Sequence, residues 1–215
     1  QFGAILSVLV LYWKKFFDLK RWEFYVKLII AVIPALIFGK LFSEKIDLFL
    51  ESPLFIAVIM LVGGIFFLFV DNLFTSPEIK DENHVNVLTA LRIGLFQCLA
   101  ILLPGLSRSA ATIIGGMSLK LTRSAAAEFS FFLAVPTMFA ARAYKLYKYY
   151  GDNGGFSLNE INMLAIGNVV AFIVALLAIK FFIAFLKKHG FKVWGWYRII
   201  VGLVLLVFIW QGVIK

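Results

Sequence analysis

The chain has 215 residues, of which 62% are hydrophobic and 15% charged, with 24 Phe and 5 Trp. A soluble domain is about half apolar and about a quarter charged, so this composition excludes an ordinary soluble globule and points to an all-α polytopic membrane protein. Net charge is +9, but the cations gather at the ends of apolar runs (Lys14, Lys15, Lys20, Arg21; Lys187, Lys188, Lys192). They read as anchors beside anionic headgroups of membrane lipids, and no nucleic acid is expected as a partner.

The segment "QFGAILSVLVLYW" opens the chain and ends at Lys14 and Lys15. It is shorter than the roughly 20 residues a span needs, so it reads as the second half of a helix whose upstream part precedes Gln1. "LIIAVIPALIFGKLF" (28–42) is a span that Pro34 should kink. "PLFIAVIMLVGGIFFLFV" (53–70) is a span entered through Pro53. Residues 71–86 form the most polar loop and carry no evident chemistry.

Residues 87–105 are apolar up to Pro104 and Gly105, which stop a helix, and a second short helix is expected from after Ser109 to about Leu119. Residues 91–119 therefore read as a re-entrant hairpin of two half-helices, which survives at membrane depth only inside protein or beside a wet cavity. Further spans are expected at 125–147, 161–186 and 194–210, the last with Trp at both ends. "QFGAILSV" echoes "EFSFFLAV" (128–135), so that Gln1, Phe2, Leu6 and Val8 match Glu128, Phe129, Leu133 and Val135. Similar segments with a broken helix suggest an inverted-repeat bundle. All of 1–215 then forms one transmembrane domain.

The polar turn "PGLSRSAAT" (104–112) carries the chemistry. Gly105 permits a tight turn and close approach of a ligand. Ser107 or Ser109 is a good N-cap, and the helix N-terminus that follows offers free N–H groups and partial positive charge, hence an anion site. Arg108 adds a fixed charge and a fork suited to phosphate. Ser109 and Thr112 lie three apart and Arg108 and Thr112 four apart, so with Ser107 they can bracket a phosphate. The alternative, hydroxyls bonded to backbone and an arginine snorkelling to the interface, fits a lone Arg at a span end better than one set among helix breakers. Gln97 reads as an interhelical hydrogen-bonding group. Glu128 is either a carboxylate favoured by the dipole at its helix N-terminus or a partner supporting Arg108. A lone Cys98 excludes an internal disulfide, and His84 and His189 sit in polar connections with no clustered metal ligands.

"PGLSRSAAT", preceded by "FQCLAILLPG" and followed by "SAAAEFSFFLAVP", resembles the undecaprenyl-diphosphate phosphatase (bacitracin-resistance) family of bacterial inner-membrane enzymes. The opening "QFGAILSVLVLYWKKF" resembles the segment just after that family's first motif. The resemblance runs from Gln1 to the last span. Ala110 departs from the family's usual Gly. The resemblance implies hydrolysis of a C55 isoprenoid diphosphate to the carrier monophosphate of peptidoglycan synthesis, in a bundle pairing two re-entrant hairpins. It implies roles in the reaction for Arg108, Ser107 and Thr112, with Gly105 and Ser109 at the phosphate. It also implies a divalent cation, Mg or Ca, and a Glu-rich first motif ending near a His, expected upstream of Gln1; without it the chain alone is expected to be inactive. A polyprenyl-phosphate flippase using the same anion site is the rival activity. An acid-phosphatase-like lipid phosphatase is disfavoured, because its His after the Arg and its Ser-Gly-His are not found here. A homodimer remains a possible assembly.

Overall fold

The computed structural model describes residues 1–17, 22–42, 52–81 and 84–214. The described elements are helices: α1 Phe2–Leu11, α2 Trp13–Phe16, α3 Trp22–Leu41, α4 Pro53–Leu73, α5 Val87–Leu102, α6 Arg108–Ser118, α7 Arg123–Asn153, α8 Leu158–His189 and α9 Lys192–Trp210. No strand occurs among the described residues, only an isolated parallel bridge between Ile79 and Leu121. Helices α3, α4, α7, α8 and α9 are long and apolar enough to cross a membrane. The bundle is therefore an all-α polytopic membrane protein, and large apolar side chains such as Val170, Ile173 and Leu177 on α8 face outward. Lys20 and Arg21 lie outside the described residues.

Helix starts follow local chemistry. Ser52 accepts from the Phe55 N–H at 3.3 Å, with Pro53 in the first turn, where its missing N–H costs nothing. Asn86 accepts from the Thr89 N–H at 2.7 Å, and Thr122 from the Ala125 N–H at 3.3 Å. Ser157 and Glu160 form a reciprocal capping box at α8. Helix α7 continues six residues beyond its expected end at 147 and stops at Gly154, whose φ is +71°. Helix α3 runs through Pro34 without interruption.

Four associations set the architecture: α4 on α9, α3 on α5, α1 on α8, and α6 between α5 and α7. With no water to drive helices together in lipid, small residues let backbones meet. A Cβ on Gly64 would stand 2.9 Å from the Gly195 carbonyl oxygen, and one on Gly94 would collide with the backbone of Ala31. Helix α7 is the hub, with Phe129 and Phe132 buried. Tyr12, Phe16 and Phe24 meet the Phe132 ring edge-on at centroid distances of 4.9, 5.4 and 5.3 Å.

The contacts also show a crossed pattern. Helix α1 packs on α8 and α3 on α7, while α1–α7 and α4–α9 pair directly. If α1, α3 and α4 are repeated as α7, α8 and α9, the first two contacts are one contact made twice. Two related halves would pair in this way, as the sequence echo between α1 and α7 suggests.

Asp71, which the sequence assigned to the polar loop, lies in the last turn of α4 and has a structural duty that its sequence did not reveal. One Asp71 oxygen accepts from the Phe191 N–H at 2.7 Å, and the other lies 3.0 Å from the Arg123 Nε. This carboxylate ties the end of α4 to the starts of α7 and α9.

Candidate active site

Helix α5 stops at Leu102 and α6 starts at Arg108, and neither is long enough to span alone. Between them Pro104 is buried, and Gly105 takes φ +98°, a left-handed conformation that side chains rarely adopt. Its Cβ position is also closed by α4, 2.9 Å from the Ile56 carbonyl oxygen. Ser107 is the N-cap of α6: its Oγ accepts from the Ala110 N–H at 3.4 Å. The other first-turn N–H groups have no intrahelical acceptor, and the helix dipole adds positive character there.

This helix start opens onto a cavity of about 480 Å³ walled mainly by apolar side chains of α1, α7, α8 and α9. Ser107, Arg108 and Ser109 are in its wall, and so is Arg198 from α9. Arg108 places Nη2 at 3.7 Å from the Met138 sulfur, and its Nη1 is buried without an acceptor among the described residues. Arg198 is buried, donates from Nη2 to the Gly105 carbonyl at 2.7 Å, and stands 5.1 Å from the centre of the Phe67 ring. Its Nε has no acceptor among the described residues. Neither arginine has a carboxylate partner among them. Two fixed cations without counter-charge in an apolar cavity are costly, and an anionic ligand would offset that cost.

A model of the family described as bacitracin resistance protein BacA matches residues 1–204. The chain belongs to the BacA family. Among curated family members, a protein of Flavobacterium psychrophilum named undecaprenyl-diphosphatase is 58% identical over 207 residues, which is 96% of this chain and 77% of that protein. One of Porphyromonas gingivalis with the same name is 53% identical over 230 residues, 99% of this chain and 81% of that protein. A third, from Bdellovibrio bacteriovorus, is 43% identical over 214 residues.

Within this family member the sequence-derived candidates separate. Ser107, Arg108 and Ser109 come together on the cavity wall. Thr112 does not: it is fully buried, bonded to the Arg108 and Ser109 carbonyls at 3.0 and 3.1 Å and to the Ser130 hydroxyl at 2.6 Å. One helical turn carries it to the face of α6 against α7, so its hydroxyl joins two helices. Gly105 is likewise outside the wall, and its carbonyl orients Arg198. Glu128 does not support Arg108; its carboxylate pairs with Lys15 at 3.1 Å. Lys15, read as a surface anchor, is thereby drawn inward over the Phe132 ring. Gln97 makes the expected interhelical bond, from Nε2 to the Thr137 hydroxyl at 3.5 Å.

Arg198 is the residue that sequence reasoning missed. Its signal was a lone cation inside the apolar run 194–210, masked by aromatic neighbours that made it look interfacial. As for the metal, no three His, Cys, Asp or Glu side chains gather among the described residues, and the cavity wall carries guanidinium groups instead. These residues do not fit a Mg or Ca site.

Proposed function

We propose that this protein is an undecaprenyl-diphosphate phosphatase of the bacterial inner membrane, releasing inorganic phosphate and leaving undecaprenyl phosphate, the carrier lipid of cell-wall synthesis. Its family and the names of its relatives support that activity, and its five membrane-capable helices support the location. The observation that carries the assignment to this cavity is the pair Arg108 and Arg198, two cations without counter-charge on one apolar wall at a helix start.

In this proposal the α5–α6 hairpin is re-entrant and holds the diphosphate near mid-membrane, while the polyprenyl tail lies along the apolar walls. Arg108, Arg198 and the free N–H groups of α6 neutralise the diphosphate and stabilise charge on the transferred phosphoryl group. Attack at the terminal phosphorus makes one P–O bond and breaks the one to the bridging oxygen, which leaves on undecaprenyl phosphate. Ser107, on the same cavity wall, acts either as the attacking hydroxyl or as a phosphate ligand. In the first case a phosphoserine forms and water then cleaves it; in the second, water attacks directly. Ser109 contacts the phosphate beside it. We also propose the divalent-cation requirement that the resemblance implies, met by ligands other than the residues of this cavity wall: chelation with EDTA removes activity and Mg or Ca restores it.

Phosphate release from undecaprenyl diphosphate by the intact protein in detergent micelles tests the proposal. Arg108→Ala is expected to lower kcat/KM by about 10³-fold or more, as losing a main charge stabiliser does. Retained turnover would refute the assignment. Ser107→Ala separates the two serine roles: a loss as severe marks a nucleophile, a loss near tenfold a ligand.

A further inference from the structure

Trp194 sits one turn before Arg198 on α9, so the two side chains share a face. Both line the cavity together with Arg108. The indole is packed by other rings, with centroids at 5.1 Å for Phe182, 5.7 Å for Phe185 and 6.5 Å for Tyr197. Its Nε1–H is buried and has no acceptor among the described residues. Buried tryptophans normally find a partner for this group, because an unmade bond leaves its desolvation uncompensated.

Arg108 Nη1 and Arg198 Nε are in the same condition. Three side chains of one cavity thus each keep a donor without an acceptor. The one orphaned acceptor that no cation faces among the described residues, Gln97 Oε1, belongs to a residue outside that wall and does not answer them, and Asp71 Oδ1 is paired with Arg123. What answers three N–H donors is a ligand rich in acceptor oxygens, and a diphosphate is one. The indole also offers an apolar face, which a phosphate alone would not use.

We propose that Trp194 is a substrate-binding residue that reads the junction of the lipid diphosphate: its N–H donates to a phosphate oxygen while its ring lies against the first isoprenoid units. This rests on the phosphatase proposal for its ligand. Trp194 thereby makes the cavity selective for a diphosphate that carries a chain, over free pyrophosphate.

The test uses the intact protein in detergent micelles, with undecaprenyl diphosphate for turnover and farnesyl diphosphate for binding, the latter followed by titration calorimetry, which does not depend on the indole. Trp194→Phe keeps a ring against Phe182 and removes the N–H. It is expected to raise KM roughly tenfold and weaken farnesyl diphosphate binding to match, the scale of one hydrogen bond to a charged group. Its kcat should stay within about twofold, and its Tm should fall by no more than a few degrees, since no hydrogen bond within the protein is lost and a ring still packs against Phe182. Trp194→Leu also removes the ring and is expected to raise KM further. Unchanged binding and KM in Trp194→Phe overturn the proposal, as does a fall in kcat or Tm with KM unchanged. Wild-type protein that binds farnesyl diphosphate but releases no phosphate sinks the phosphatase proposal and leaves this one to its binding arm. Wild-type protein that does neither sinks both.

Discussion

Where α4 meets α9, Gly64 and Gly195 bring two apolar backbones into contact, and the helices run on undisturbed. A short distance away, between α5 and α6, the chain abandons its helix for five residues and sets Arg108 at the restart. The first region gains stability from closeness in a solvent that offers no hydrophobic drive. The second places unpaired donors and charge where they are most expensive. Arg198 belongs to both, since it grows from the close-packed helix and grips the broken one through the Gly105 carbonyl. The scaffold is dense behind the cavity, and its two arginines without counter-charge among the described residues stand on the cavity wall.

Substitutions can break this contrast from either side. The largest effect on folding is expected from Gly64→Leu, which drives a side chain into the Gly195 carbonyl and Ile199. Overpacking of this kind costs about 1–3 kcal/mol or more. The yield of monodisperse protein in detergent and its Tm should both fall sharply, and a normal Tm would mean the α4–α9 contact is slack. Next comes Arg198→Ala, which should cut kcat/KM about 10²-fold, the scale of one lost charge stabiliser, with Tm changed by only a few degrees. Arg198→Lys should recover little, because an ammonium lacks the fork that reaches the carbonyl and the ligand together. If Arg198→Ala instead unfolds the protein, the residue belongs to the scaffold alone.

Smaller again is Thr112→Val, which strands the Ser130 hydroxyl. Interhelical bonds of this kind in membranes average about 0.6 kcal/mol, so a small drop in Tm and an activity loss below tenfold are expected. A 10²-fold loss at unchanged Tm would return Thr112 to the reacting groups. Gly39→Ala is the control: nothing stands within 4 Å of its Cβ position, and Tm and activity should both be unchanged.

The break itself was legible in the sequence, because Pro104, Gly105 and a capping serine act locally and need no partner to be recognised. Ser107 rather than Ser109 took the cap, a choice between positions two residues apart that local patterns do not resolve. The phosphate bracket was half legible. Spacing places Thr112 one turn from Arg108 but cannot say that Ser130, from another helix, is waiting for its hydroxyl. Glu128 failed for the same reason, since its cation is Lys15, 113 residues away in the chain. Arg198 was hidden most deeply, because its meaning comes from a carbonyl 93 residues earlier and from an apolar cavity that exists only once four helices have packed. Properties set within one turn could be read in advance, whereas those set between helices could not.

The bond from Arg198 to Gly105 also has a consequence for biosynthesis. The α5–α6 hairpin leaves the ribosome well before α9 exists, so during synthesis the Gly105 carbonyl has no guanidinium to receive. The two meet only when the last of these helices is laid into the bilayer. A nascent chain arrested after α8 would therefore lack both the bond to the Gly105 carbonyl and the wall that α9 gives the cavity.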